Sequence, residues 1–142
     1  MRDLLAAKKW KEADEETAKV MLKVADKHET EWLDSKSIEK FPCEDLRTID
    51  QLWVKYSDGR FGFSVQKRIY QSLGGTREDD IEVWQKFGDR VGWRKRNWWL
   101  YYRDLTFSEQ AHEAHLPSIR GGMGGGWWVV EVLFSRVETC KV

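Results

Sequence analysis

The chain has 142 residues, with 24 Lys and Arg against 24 Asp and Glu, so its formal net charge is zero. A chain of this length fits one domain that buries a core without disulfides or a metal. The charge balances locally too, 14 cations against 14 acids in residues 1–71 and 10 against 10 in residues 72–142, which removes any bulk electrostatic case for a nucleic-acid binder.

Residues 1–27 read as helix, because Trp10, Ala13, Thr17, Val20, Met21 and Val24 recur at spacings of three and four. The segment DSKSIEKFPCED breaks the pattern, and Pro42 suits the first position of a second helix carrying Leu46, Ile49, Leu52, Trp53 and Tyr56 on one face. SDGRFG is a turn by composition. A third helix runs through Val65, Ile69 and Leu73 and stops at Gly74. Thr76 and Asp79 form a capping pair for a fourth, REDDIEVWQKF, ending at Gly88. Residues 89–128 hold Gly92, Pro117 and GGMGGG and predict short helices and loops. The tail WWVVEVLFSRVETC is β-branched, yet Val130, Leu133, Phe134 and Val137 fit a helical stripe, so it reads as helix. The fold class is therefore all-α, a single compact helical domain over residues 1–142.

The N-terminus has no apolar h-region and no run approaches 18 apolar residues, so neither a signal peptide nor a membrane span is expected. Cys43 and Cys140 have neither disulfide-framework nor zinc-ligand spacing, which points to a reducing compartment rather than secretion. No G-x-S-x-G, Walker loop, G-x-G-x-x-G or H-E-x-x-H occurs, so no catalytic residue is assigned. His112 and His115 stand three apart, but in a polar loop such a pair is ordinarily incidental, and no metal site is assigned.

The distinctive stretch is VGWRKRNWWLYY, residues 91–102, with five aromatic rings beside three consecutive cations. A flat macrocycle bearing carboxylates needs that combination: aromatic walls for its faces and fixed cations at the rim. Trp93, Trp98 and Trp99 are candidate walls, and Arg94, Lys95 and Arg96 candidate cations. HLPSIR with GGMGGGWW repeats the pairing, Leu116, Ile119 and Trp127 beside Arg120, on glycines that would let the segment move as a flap. Phe61 and Phe63 flank Gly62 at a helix entrance. They fit either a cavity floor or plain core packing. The 91–102 stretch equally fits a surface turn over aromatic core residues, or bases stacked on tryptophan, although no wider basic track supports the last. Burying about 300–500 Å² of apolar ligand surface gives roughly 8–12 kcal/mol gross, against association costs of roughly 4–15 kcal/mol. That balance suits a carrier that releases its cargo.

The segments KWKEADEET, FPCEDLRTIDQLWVKYS, GRFGFSVQKRIY, FGDRVGWR, WLYYRDLTF, HLP and LFSRVETCK together resemble the genomes uncoupled four family, its cyanobacterial members more than its plant ones. The resemblance implies an all-helical domain with a concave apolar surface likened to a cupped hand. It implies reversible binding of protoporphyrin IX and Mg-protoporphyrin IX, with bilin or haem as further candidate ligands. It implies stimulation of magnesium chelatase through that enzyme's large porphyrin-binding subunit, without catalysis by this chain; a tetrapyrrole sensor or interaction module is the alternative. A monomer in the cytoplasm of an oxygenic phototroph, partly at the thylakoid, or in the stroma of a eukaryote, is the corresponding expectation. Carried over by position, the cup draws on Phe61, Phe63, Trp98 or Trp99, with HLPSIR as mobile loop and Arg120 near the carboxylates. This sequence departs from the family at AHEAHLP, where Ala114 stands in place of the usual glycine before His115; a stiffer or more helical loop is expected there. The helical N-terminal extension common in the family is not seen.

Overall fold

The computed structural model describes residues 1–28, 33–75, 80–118 and 127–142, without the side chains of 127 and 128. The described residues hold seven α-helices, one two-stranded hairpin and a 3-10 turn over Tyr102–Asp104: α1 (Arg2–Ala6), α2 (Trp10–Val24), α3 (Ser35–Glu39), α4 (Cys43–Tyr56), α5 (Phe63–Ser72), α6 (Ile81–Val91), β1 (Arg94–Lys95), β2 (Trp98–Trp99) and α7 (Trp127–Thr139). The all-α class holds. The first 27 residues are two helices rather than one, because Lys8 takes a left-handed φ of 60° and turns the chain. The stretch before α4 contains the short helix α3, started by Asp34, whose carboxylate accepts the Ser37 N–H at 2.8 Å. Pro42 sits just outside α4, at the N-cap. Gly74, with φ +92°, follows the end of α5 as expected. The Thr76–Asp79 capping pair lies outside the described residues; Asp80 caps α6 through the N–H groups of Glu82 and Val83. That helix runs past Gly88 to Val91 and stops at left-handed Gly92.

Two aromatic clusters fill the core. In the first, Trp10, Trp53 and Phe61 meet at centroid distances of 5.4 to 6.3 Å. The Trp53 indole N–H donates to Thr17 Oγ1 at 2.9 Å, so the buried polar edge is satisfied from α2. In the second, Tyr70 of α5, Trp84 and Phe87 of α6, Trp93 and Phe134 of α7 pack edge-on and stacked. This cluster carries α7 against α5 and α6, and α3 covers another part of α7. At the entrance to α5, Gly62 has φ +134°, and a Cβ there would lie 2.8 Å from Val54 Cγ2 and 2.9 Å from Asp50 Oδ1. Only glycine fits. The gap lets buried Asp50 accept the Ser64 N–H at 2.8 Å and steady the first turn of α5.

The two cysteines are bonded to each other, 97 residues apart in sequence with Cα atoms 5.2 Å apart. Spacing along the chain carries no signal of this pair, because only the fold brings the end of α7 to the start of α4.

Candidate functional site

The site begins where α6 ends. Gly92 turns the chain into a hairpin whose two central residues, Arg96 and Asn97, have φ of 53° and 68°, the left-handed pair of a type I′ turn. The register pairs Arg94 with Trp99 and Lys95 with Trp98. Directly opposed residues share a face, so the hairpin has an inner face of Arg94 and Trp99 and an outer face of Lys95 and Trp98. On the inner side Trp99 stacks on Trp84 at 5.2 Å and 22°. Gly88 makes that possible, since a Cβ there would stand 2.5 Å from the Trp99 ring and 3.2 Å from Arg94 Cβ. Arg94 is largely covered and ion-pairs with Asp89 at 3.0 Å, while its buried Nε has no hydrogen-bond partner. On the outer side Trp98 is 77% exposed, and Tyr101 just beyond β2 is 70% exposed. A buried hydrophobic residue is unremarkable, whereas an indole left this wet is the informative observation.

Beside the hairpin runs a groove of about 740 Å³, lined by Arg94, Lys95 and Arg96 on one wall, by Gln110 and His112 on the other, and by Leu100 and Ala111. Its size lies in the range of small-molecule and cofactor sites. Three cations, Arg94, Lys95 and Arg96, and two acids, Asp89 and Asp104, line it together.

The far wall is held by a dense set of bonds. Trp93 Nε1 donates to the His115 carbonyl at 2.8 Å. Gln66 Nε2 donates to the Ala114 and Pro117 carbonyls at 3.1 and 2.7 Å. Gly62 N donates to Leu116 O at 3.0 Å, and Arg60 Nε to Ala111 O at 2.7 Å. His115 Nδ1 sits 2.7 Å from the Val91 carbonyl, and its Nε2 accepts the Thr106 N–H at 3.0 Å. A carbonyl only accepts and an N–H only donates, so the ring is the neutral tautomer with its proton on Nδ1. Burial lowers its pKa further, partly offset by the Val91 bond, and the nearby His112 adds to the lowering. Asp14, from α2, ties down the end of this segment from behind. Its carboxylate is buried, accepting Ser118 N–H at 2.6 Å and Tyr102 O–H at 2.8 Å.

These placements correct several expectations. Phe61, Phe63, Trp93 and Leu116 are sealed in the core at 0 to 1% exposure and present no face to an open hollow. The physical reason is packing: the rings of Phe61 and Trp93 close the two aromatic clusters, and Leu116 is pinned beneath α5 through its carbonyl. Residues 115–118 are buried and bonded at nearly every turn, so this part of HLPSIR is a tied-down core segment rather than a flap. Ile119 and Arg120, and the glycine run after them, lie outside the described residues, as does the side chain of Trp127, which opens α7. Of the candidates, the structure brings together Arg94, Trp98 and Trp99 on one hairpin. A hairpin was not foreseen among short helices and loops, since its Arg–Asn turn lacks the glycine that usually marks one. Asp14, Gln66 and Gly88 were also missed. Asp14 did leave a trace, a carboxylate on the same helical face as Trp10 and Thr17.

Ala114 is not helical, as its sequence setting suggested, but left-handed, with φ +66° and no exposure. An alanine there carries the Cβ strain that glycine avoids. Ala114→Gly is expected to stabilise the chain by about 0.5–1 kcal/mol, the relief of strain exceeding the added freedom of the unfolded chain. A rise in the urea midpoint at unchanged slope checks this.

A family model described as GUN4-like matches residues 1–136. The chain belongs to the GUN4-like family. The structure of GUN4 from Chlamydomonas reinhardtii superposes with a TM-score of 0.75 at 26% identity, covering 94% of this chain and 84% of that one. Among curated relatives of this GUN4-like chain, a Ycf53-like protein from a Synechocystis strain is 32% identical over 82% of this chain and 48% of its own length. A chloroplastic tetrapyrrole-binding protein of Arabidopsis thaliana is 35% identical over 46% of this chain and 26% of that protein. The chain spans about half the length, or less, of the curated relatives it matches. No helix among the described residues is long and apolar enough to cross a membrane.

Proposed function

We propose that this GUN4-like chain is a single-domain, non-catalytic tetrapyrrole carrier that binds protoporphyrin IX and Mg-protoporphyrin IX and stimulates magnesium chelatase through its large porphyrin-binding subunit. Family membership and the similarity to the Arabidopsis tetrapyrrole-binding protein support the ligand class. The observation that carries the reading to this molecule is the hairpin, with an open indole, Trp98, cross-strand from Lys95, which with Arg94 and Arg96 lines the adjoining groove.

The residues fit such a group in two respects. Trp98 offers a bare aromatic face, and the Trp99–Trp84 stack behind it makes a stiff backing. Lys95, Arg96 and Arg94, whose buried Nε lacks a partner, would hold the carboxylates. When bound, the metal-free macrocycle would supply the chelatase's substrate and the magnesium-bearing one would be its product; this chain's part is to hold either apart from other pigment molecules. A groove this open favours exchange of cargo over permanent retention.

Titrating a water-soluble dicarboxylate porphyrin into the protein is expected to quench tryptophan fluorescence saturably and shift the Soret band. Trp98→Ala with Lys95→Glu and Arg96→Glu is expected to weaken binding at least about 10-fold, since two charge-assisted contacts and a stacking face are lost together. The same changes should hardly affect affinity for the porphyrin dimethyl ester beyond the indole's share. Unchanged affinity for the dicarboxylate would remove the hairpin from the site. A reconstituted chelatase assay at limiting porphyrin then separates carrier from sensor: no rate increase leaves a sensor.

A further inference from the structure

We propose that the Cys43–Cys140 bond is a reversible redox clamp on α7, opened by external dithiols while the protein stays folded. This inference is independent of the tetrapyrrole reading. Cys43 opens α4 and Cys140 follows the end of α7, so the bond staples the far end of that helix to the first half of the chain. The two cysteines differ in access. Cys43 is only half-buried, whereas Cys140 is 4% exposed, so an incoming thiolate meets the Cys43 sulfur first. Attack there forms a mixed disulfide with Cys43 and releases Cys140 as thiolate. The second thiol of the reagent then displaces the Cys43 thiolate, leaving a cyclic disulfide, two protein thiols and a transfer of two electrons and two protons.

Both leaving sulfurs have cationic help. Cys43 is at the N-terminus of a 14-residue helix, where the partial positive charge lowers thiol pKa. Arg47, one turn along on the same face, donates from Nη2 to the Cys140 carbonyl at 2.7 Å, placing its guanidinium beside the pair. Glu44 and Asp45 in the same turn oppose the effect from the exposed side. A stabilised reduced form makes a disulfide easier to open.

The fold is also built to survive opening. Arg136 Nε of α7 donates to the Phe41 carbonyl at 2.9 Å, and with the Arg47 bond this forms a reciprocal polar lock across the same boundary. The reduced chain keeps α7 seated but loses its covalent restraint. The consequence reaches the groove's wall, because Phe134 of α7 packs on Phe87, which stacks with Trp84, on which Trp99 rests.

The test uses the full chain without denaturant. Under dithiothreitol, both cysteines are expected to become alkylated by N-ethylmaleimide, and oxidised glutathione is expected to restore a species that takes up none. Amide hydrogen exchange over α7 should quicken roughly 10-fold or more on reduction while α2 and α4 hold their rates. Cys140→Ser should show the fast α7 exchange with or without reductant; Cys43→Ser provides the same reading should that variant fold poorly. A pair that resists dithiothreitol until the protein unfolds, thiols that never pair under oxidised glutathione, or α7 exchange indifferent to reduction would each overturn the clamp.

Discussion

Trp93→Ala is expected to cost about 3–5 kcal/mol of folding stability, the range for deleting a fully buried tryptophan. Trp93 lies at 1% exposure between Trp84 and Phe87, and its indole N–H is a donor to the His115 carbonyl. Alanine opens a large apolar void and strands that carbonyl in the interior, and both terms have the same sign. Because His115 also reads the Val91 carbonyl and the Thr106 N–H, the loss spreads from the core to the groove wall. Trp98→Ala, five residues on, is expected to change stability by less than about 0.5 kcal/mol, since its ring is mostly in water. Urea unfolding of the two variants checks the contrast: equal costs would mean that Trp93 is not the keystone its packing suggests. The comparison also separates structure from function within one aromatic stretch, because a loss of ligand binding in Trp93→Ala would follow from lost fold, and in Trp98→Ala from a lost contact.

Asp14→Asn is expected to remove the part of the pH dependence near neutrality in which stability falls as pH rises. Burial is the largest influence on Asp14 and pushes its pKa from 3.8 up to about 7; the Ser118 N–H and the Tyr102 hydroxyl pull it down, and the charge on Glu15 raises it. Tyr102 is raised in turn, by its own burial first and then by Asp14, and stays a neutral donor. The sign follows from proton linkage. Between 3.8 and about 7 the folded chain holds a proton that the unfolded chain has lost, so this contribution is full below the lower value and disappears as pH rises through about 7. Between pH 5.5 and pH 8.5 the wild-type chain is expected to lose about 2 kcal/mol on this account. His115 works in the other direction: its lowered pKa means stability is lost as pH falls below its ordinary 6.5. That contribution is shared by wild type and variant and cancels in their difference. Asparagine keeps an oxygen for the Ser118 N–H and cannot ionise, so the wild-type minus variant curve isolates the carboxylate. A difference that does not change with pH would show that Asp14 is ionised throughout.

Much of the helical skeleton was legible along the chain. The stripe Trp10, Ala13, Thr17 and Met21 is buried on α2, as Leu46, Ile49 and Trp53 are on α4 and Leu133, Phe134 and Val137 on α7. Periodicity reports which face is dry, and that is a local property. Glycine chemistry was legible for the same reason at Gly62 and Gly74, where the backbone itself demands the residue. The cationic hairpin was visible as composition in residues 91–102, but not as a hairpin.

Other features were beyond any local pattern. An indole looks the same in sequence whether it closes a core, as Trp93 does, or stands in water, as Trp98 does; the hairpin register and the space left by Gly88 decide between them. Phe61 looks like part of a cavity floor until Trp10 and Trp53 arrive from two other helices to cover it. Asp14 meets Ser118 across 104 residues, and Cys43 meets Cys140 across 97. The amino-acid order by itself determined the longer helices, their buried faces, the family resemblance and the presence of aromatic and cationic groups side by side. Only the tertiary structure decided which of those groups face solvent, because exposure depends on what distant segments pack against a side chain, and no spacing of three or four residues carries that information.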